Sequence, residues 1–303
     1  MTPKPIIPPS LTKGDTVAIV APAKFIEENY ITNARKLLEG WGLKCVTGKH
    51  TLGKYRIFSG TDQERAEDLQ WALDHPDVKA IICARGGYGT IRIIDQLHFE
   101  GFIRAPKWIA GFSDITVLHN HLHTHYNTAS LHATVPLNFP ENHEENQSLQ
   151  TLKNALFGNL PQYQVSAHEA NRNGEVSAPV VGGNLSILHN LVGTNSDIQT
   201  QGKILLLEEV SEYAYHFDRM LWALKKADKL NGLAGLIVGG LTEIKQGPNP
   251  FGQQPEAIIL DLVSEYNYPV CFNFPSGHQQ ENWCIPLGIP ARLKVDNQVT
   301  LNY

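Results

Sequence analysis

The stretch Lys107-Trp108-Ile109-Ala110-Gly111-Phe112-Ser113-Asp114-Ile115-Thr116-Val117-Leu118-His119-Asn120-His121-Leu122 decides how the chain is read. Trp108-Ile109-Ala110 is apolar, too short for a helix, and bounded by Pro106 and Gly111, so it predicts a buried strand. Ile115, Leu118 and Leu122 then repeat with helical spacing and share one face. Ser113 falls between strand and helix. A serine on such a sharp turn has its hydroxyl pushed out of the sheet, close to the first unpaired N–H groups of the helix. Those donors suit an oxyanion formed when the hydroxyl attacks a carbonyl. The full elbow pattern asks for glycine two places after the serine, and Ile115 stands there. The competing reading makes Ser113 or Asp114 an ordinary helix cap.

Working outward toward the N-terminus, strand and helix patterns alternate. Thr16 to Pro22 is a buried-strand run, residues 27–41 have helical spacing, and Lys44 to Gly48 gives another strand. Thr61 to Leu73 reads as a helix opened by a capping box, with Thr61 as cap and Glu64 three places on. Asp77 to Ala84 is a strand, followed by the turn Arg85-Gly86-Gly87-Tyr88-Gly89 and a short helix from Thr90 to Leu97. This order predicts a doubly wound parallel sheet with site residues on loops at the strands' carboxyl ends. Ser113 and the glycine turn both lie on such loops. The turn lacks the complete G-x-G-x-x-G spacing and a Lys-Ser/Thr pair, so it gives little support for a nucleotide.

Toward the C-terminus, residues 141–173 turn polar and read as a linker with one helix at 147–157. A second domain, 174–303, carries strand patterns at 176–181, 204–208, 233–238, 270–273, 291–295 and 298–302, and helices at 184–192, 215–227 and 254–265. Glu208 and Glu209 end one apolar run, where carboxylates need a partner or water. His278 follows the turn Phe274-Pro275-Ser276-Gly277. Serine, acid and histidine therefore come in the chain order of α/β-hydrolase triads, which order alone does not establish. His119, His121, His123 and His125 would share a face on a strand and could hold zinc. On a helix they split into two i, i+4 pairs without a completing ligand, so half-exposed histidines and no metal are expected.

The 303 residues are 42% apolar and 18% charged, with a net charge of −5, which offers no basic face for nucleic acid or membrane. The opening residues lack a secretory core and no run of about 18 apolar residues occurs. Cys45, Cys83, Cys271 and Cys284 form no C-x-x-C pair. A cytoplasmic protein with free thiols is expected.

Taken jointly, these motifs resemble the LD-carboxypeptidase family of serine peptidases, which also includes the microcin-immunity hydrolases. The likeness runs nearly end to end. It is carried by Val20-Ala21-Pro22-Ala23, by Phe58 to Asp62 with Glu64-Arg65-Ala66 and Asp68-Leu69-Gln70, and by Cys83 to Gly89. It continues through Gly111 to Thr116, Gly182 to Ser186 with Gly193-Thr194, Leu207-Glu208-Glu209 with Tyr215 to Leu221, and Ser276-Gly277-His278. Phe112, Glu209 and Ala133 depart from the usual pattern without removing a group the chemistry needs. The resemblance implies a Rossmann-like N-terminal domain (1–140) carrying the nucleophile and a β-rich α/β C-terminal domain carrying acid and base. It implies hydrolysis of the terminal D-alanine from a murein tetrapeptide by Ser113, Glu208 and His278; the N–H of Asp114 and an N–H of the Gly86-Gly87 turn, Gly87 first, are the candidates for the oxyanion hole. Arg85 and Tyr88 become candidates for substrate binding; no cofactor is implied, and a homodimer is common in the family. The choice of Glu208 over Glu209 rests on the resemblance alone. The alternative activity is hydrolysis of microcin-type aminoacyl nucleotides, with Phe251 as an aromatic platform; the alternative of another class is a non-catalytic or metal-dependent binding module.

Overall fold

A computed structural model of the protein describes residues 4–141 and 146–303. The N-terminal strands are β1 (Thr16–Val20), β2 (Lys44–Thr47), β3 (Val78–Cys83), β4 (Trp108–Gly111) and β5 (Ser130–His132). Those of the second half are β6 (Gln162–Ser166), β7 (Gly174–Asn184), β8 (Ile204–Val210), β9 (Gly235–Thr242), β10 (Val270–Cys271), β11 (Ile285–Leu287), β12 (Pro290–Val295) and β13 (Gln298–Asn302). Helices are α1 (Glu28–Gly40), α2 (Asp62–Asp74), α3 (Glu100–Arg104), α4 (Thr116–Tyr126), α5 (Gln147–Leu156), α6 (Leu185–Leu191), α7 (Ala214–Lys226) and α8 (Pro255–Leu262).

Two sheets result, and the architecture is mixed α/β. The first has order β11-β5-β4-β3-β1-β2; its five N-terminal strands are all parallel, with β11 added antiparallel at one edge. The fully buried runs VAIV, AIIC and WIAG explain why: a sheet covered by helices on both faces has no solvent side to alternate toward. The second sheet has order β10-β9-β8-β7-β12-β13-β6, parallel from β10 to β7 and antiparallel beyond. Here β12 reads eBeBeB, the alternation of a sheet with one wet face. The capping box at Thr61 and Glu64 is formed.

Several expectations shift. Thr90 to Leu97 is two 3₁₀ turns, 90–92 and 94–96, in place of a helix; Thr90, Ile91, Ile93 and Ile94 are branched at Cβ and resist regular helix. Residues 162–166, expected within a linker, pair with β13 as β6. Residues 285–287 cross back to pair with β5, a long-range pairing with no local pattern to announce it. Among the described residues no helix is long and apolar enough to cross a membrane, and the four cysteines are free, three of them buried.

Candidate active site

The chain leaves β4 at Gly111, makes a 3₁₀ turn over Ser113–Ile115, and enters α4 at Thr116. Ser113 sits at φ +64°, in the left-handed region that costs a residue with a side chain on the order of 1 kcal/mol. The surroundings hold it there. Asp114 is fully buried and its Oδ2 accepts the Thr90 N–H at 2.8 Å, while His119 Nε2–H donates to the Gly111 carbonyl at 2.9 Å. Burial raises the Asp114 carboxyl above its ordinary value, against the pull of its Thr90 bonds. Neither Ser113 nor Asp114 caps the helix with its side chain, so the plain capping explanation of this turn falls.

The glycine turn after β3 lies directly on Ser113. A Cβ at Gly86 would stand 2.7 Å from Ser113 Cβ and 3.0 Å from its Oγ. Among the described residues the N–H groups of Gly87 and Asp114 have no protein acceptor, which leaves both free to meet a ligand oxygen. Arg85 is half-buried and one guanidinium nitrogen donates to the Phe25 carbonyl at 2.9 Å. Tyr88 is 43% exposed and leans on Phe58, ring centroids 5.8 Å apart.

The second sheet brings up the acid and histidine. The Asn184 N–H at the end of β7 donates to Thr116 Oγ1 at 3.1 Å, stitching the sheet to the first turn of α4, and Asn184 pairs in register with Glu208. Glu208 is wholly buried. Its Oε2 accepts His278 Nδ1–H at 2.7 Å and the His278 N–H at 3.2 Å. Burial works against charge on Glu208, yet the neighbouring His278 and its hydrogen bonds outweigh that and hold the carboxyl below its usual range. For His278, too, burial works against the charged form, and the Glu208 carboxylate outweighs it and raises the imidazole. Gly277, at φ +100°, is required: a Cβ there would lie 2.6 Å from the Glu208 side chain.

Glu209 faces the other way, as alternation along a strand demands. Its carboxyl accepts from Ser186 N–H at 2.7 Å, Val210 N–H at 2.8 Å and Asn184 Nδ2 at 3.2 Å, which fastens the start of α6. Burial pushes it up to about 7.

Geometry thus brings Ser113, Gly86 and Asp114 together on the edge formed by the strands' carboxyl ends in one sheet, and Glu208 with His278 on the corresponding edge of the other. Phe112 joins the two edges, its ring centroid 4.8 Å from that of His278. Among the described residues the Ser113 hydroxyl makes no hydrogen bond to His278; such contacts are commonly long until substrate closes the site. A cavity of about 400 Å³ opens beside His278, lined among others by Phe112, Thr134, Asn138, Gln280 and Asn282.

One neighbour escaped the sequence reading. His132, at the end of β5, is fully buried, with Nδ1 3.2 Å from Ser276 Oγ and its ring 6.0 Å from Phe112; burial pushes it down to about 4, so it is a neutral ring beside the Glu208–His278 pair. Its place at the carboxyl end of a parallel strand was the available clue. The histidine run is also not half-exposed as expected. His119, His121 and His123 are buried, because α4 is covered on several sides, and burial pushes them down to about 3, 4 and 4. Each is bonded to protein: His119 with Ser130, His121 with Ser196, His123 with Lys203. Among the described residues no group of three or more His, Cys, Asp or Glu is arranged to hold a metal. Phe251 packs against the core of the second half and makes a poor platform.

Family comparison covers both halves of this site. Residues 17–133 match the model of the LD-carboxypeptidase N-terminal domain and residues 177–293 that of the LD-carboxypeptidase C-terminal domain. The chain is 30% identical over 296 residues to a probable murein peptide carboxypeptidase of Bacillus subtilis (strain 168), covering 94% of this chain and 91% of that one. Its fold is similar to the crystal structure of muramoyltetrapeptide carboxypeptidase from Oxalobacter formigenes, with TM-score 0.85, 26% identity, and 95% and 99% of the two chains covered. The microcin C7 self immunity protein MccF superposes with TM-score 0.87 over 99% of each chain at 19% identity, a likeness of fold.

Proposed function

This chain belongs to the LD-carboxypeptidase family, and we propose that it is a serine-type carboxypeptidase of the reducing cytoplasm that removes the terminal D-alanine of murein tetrapeptide. The observation that carries this reading is the 2.7 Å bond from His278 Nδ1–H to the buried Glu208 carboxylate, which fixes the tautomer whose Nε2 is free to accept a proton. In the reaction Ser113 Oγ attacks the carbonyl before D-alanine and its proton passes to His278 Nε2. The oxyanion meets the N–H groups of Gly87 and Asp114. His278 then gives its proton to the leaving amine, D-alanine departs, and water activated by the same imidazole cleaves the acyl-enzyme. Glu208 stabilises the imidazolium through each cycle. The substrate preference is supported by the names of the relatives, both peptide carboxypeptidases.

The second reading, hydrolysis of an aminoacyl nucleotide, is favoured by one feature: Tyr213 and Tyr215, just beyond β8, are 44% and 55% exposed and stacked at 5.9 Å. Stacking of a base on such a ring is worth about 1–3 kcal/mol. Hydrolysis assays with product identification separate the two. Murein tetrapeptide with a free D-alanine carboxylate should be cleaved, while its C-terminal amide and an all-L peptide should not; a site built for a carboxylate can reject the amide by about 10⁴ in kcat/KM. Equal cleavage of the amide, or preference for an aminoacyl-adenylate analogue, would overturn the carboxypeptidase assignment.

A further inference from the structure

Arg65 lies on the inner face of α2, 1% exposed, and takes no part in the chemistry assigned above. Its Nη1 donates to the Gly89 carbonyl at 3.0 Å, at the end of the glycine turn, and also to the Pro22 carbonyl on the loop that leaves β1. Nη2 pairs with Asp62, which is gripped from outside by Arg92 at 2.6 Å. The guanidinium lies over the Phe58 ring, 4.7 Å from its centroid. The two loops it joins also touch elsewhere: Arg85 bonds the Phe25 carbonyl, and the Lys24 chain packs where a Gly87 Cβ would be.

The same Gly89–Thr90 peptide unit is held on its other side by Asp114, whose carboxylate takes the Thr90 N–H at 2.8 Å. Gly86 and Gly87 are thus suspended between Ala84, whose N–H donates to the Val20 carbonyl at 2.8 Å, and this doubly held peptide, and Gly86 rests on Ser113. Neither glycine has a side chain with which to fix itself, so the direction of the Gly87 N–H depends on these anchors. A planar guanidinium can serve two carbonyls and a carboxylate at once, which a lysine ammonium on a flexible stem cannot match in geometry.

We propose that Arg65 is a positioning residue for the oxyanion-binding turn, holding the Gly87 N–H toward Ser113 by tying Gly89 to Pro22. The assignment rests on the serine mechanism proposed above. It acts through the backbone, so its loss weakens transition-state stabilisation while leaving substrate affinity and the His278 titration in place.

The test compares wild type with Arg65→Lys, Gly89→Ala and Arg92→Gln. Gly89→Ala keeps the arginine and disturbs the same contact from the turn, since its Cβ would stand 2.7 Å from Arg65 Nη1; it reports if Arg65→Lys does not fold. The probe beside kcat and KM is a peptide boronic acid with boron in place of the scissile carbonyl carbon. Ser113 Oγ adds to boron, the Oγ–H bond breaks as its proton passes to His278, and the trigonal boron becomes a tetrahedral anion that keeps its three original bonds. Arg65→Lys and Gly89→Ala should each lower kcat by about 10–100-fold, as misplacement by a fraction of an ångström to 1 Å does. Boronate affinity should fall by the same factor, with KM, product-peptide affinity and the acid limb of the pH profile unchanged. Arg92→Gln, an exposed pair, should stay within about twofold of wild type. Folded variants with wild-type kcat, or ones that lose product affinity as much as boronate affinity, would overturn the role of Arg65. A wild-type enzyme indifferent to the boronate would instead remove the serine mechanism beneath it.

Discussion

At the edge of the six-stranded sheet, Ser113 is held by backbone geometry and by absence of bulk: φ +64°, a glycine against its Cβ, and carbonyl and N–H bonds on either side. At the edge of the seven-stranded sheet, His278 is held by charge, against a carboxylate with no exposure to water. The first edge can be damaged by a single methyl group and holds its serine without an ion pair. The second tolerates no loss of charge and should carry the pH dependence of the reaction.

The strongest way to break this division is to delete across it. Ser113→Ala and His278→Ala should each cost on the order of 10⁶ in kcat, and the double variant little more, because the members of a triad act as a unit. Losses that multiplied in tetrapeptide turnover would mean that the two edges work independently.

Next in size is the charge itself. Glu208→Gln should fold and lose about 10⁴ in kcat, since an amide cannot fix the imidazole tautomer in the same way. On the proposed mechanism His278 must be neutral in the free enzyme to act as base, so kcat/KM should rise with pH through a value above that of an ordinary histidine, and Glu208→Gln should move this limb to lower pH. A limb that stays put would detach Glu208 from His278.

A methyl on the other edge comes third. Gly86→Ala should lower kcat by about 10² through displacement of Ser113, with the pH limb unmoved. A shifted limb would show that the two edges are coupled electrostatically.

The smallest effect belongs to Glu209, and it falls on stability. Its folded carboxyl is raised to about 7 from an ordinary value of 4.5, so the protonated form is favoured by folding. That contribution is complete below about pH 4.5 and is lost as pH rises through 7. Thermal unfolding of wild type against Glu209→Gln should give a Tm difference that changes across this window in favour of the variant, with activity nearly intact. A constant difference would contradict a Glu209 carboxyl raised to about 7 by burial.

The first edge was largely legible in the sequence because its elements are local. Strand, turn and helix around Ser113 are contiguous, and the Thr61–Glu64 capping box announced α2 by spacing alone. The second edge was legible only by family likeness. Glu208 and Glu209 are chemically alike, and which one faces His278 depends on the register of β8 against β7 and on a glycine at 277, both set by residues distant in the chain. The same holds for His132 and for β11, which acquire their places through pairings between chain segments more than 100 residues apart. Arg65 belongs with them: helical spacing could put it on the buried face of α2, and nothing local could name Gly89 and Pro22 as its partners.

Labelling with a fluorophosphonate, read by intact mass and peptide mapping, tests most directly whether Ser113 is the nucleophile served by His278. We expect one phosphonyl group per chain, on Ser113, gained in step with loss of tetrapeptide hydrolysis, and negligible labelling of His278→Ala. Full hydrolysis by protein labelled at Ser113, or inactivation with the label on another residue, would contradict the account.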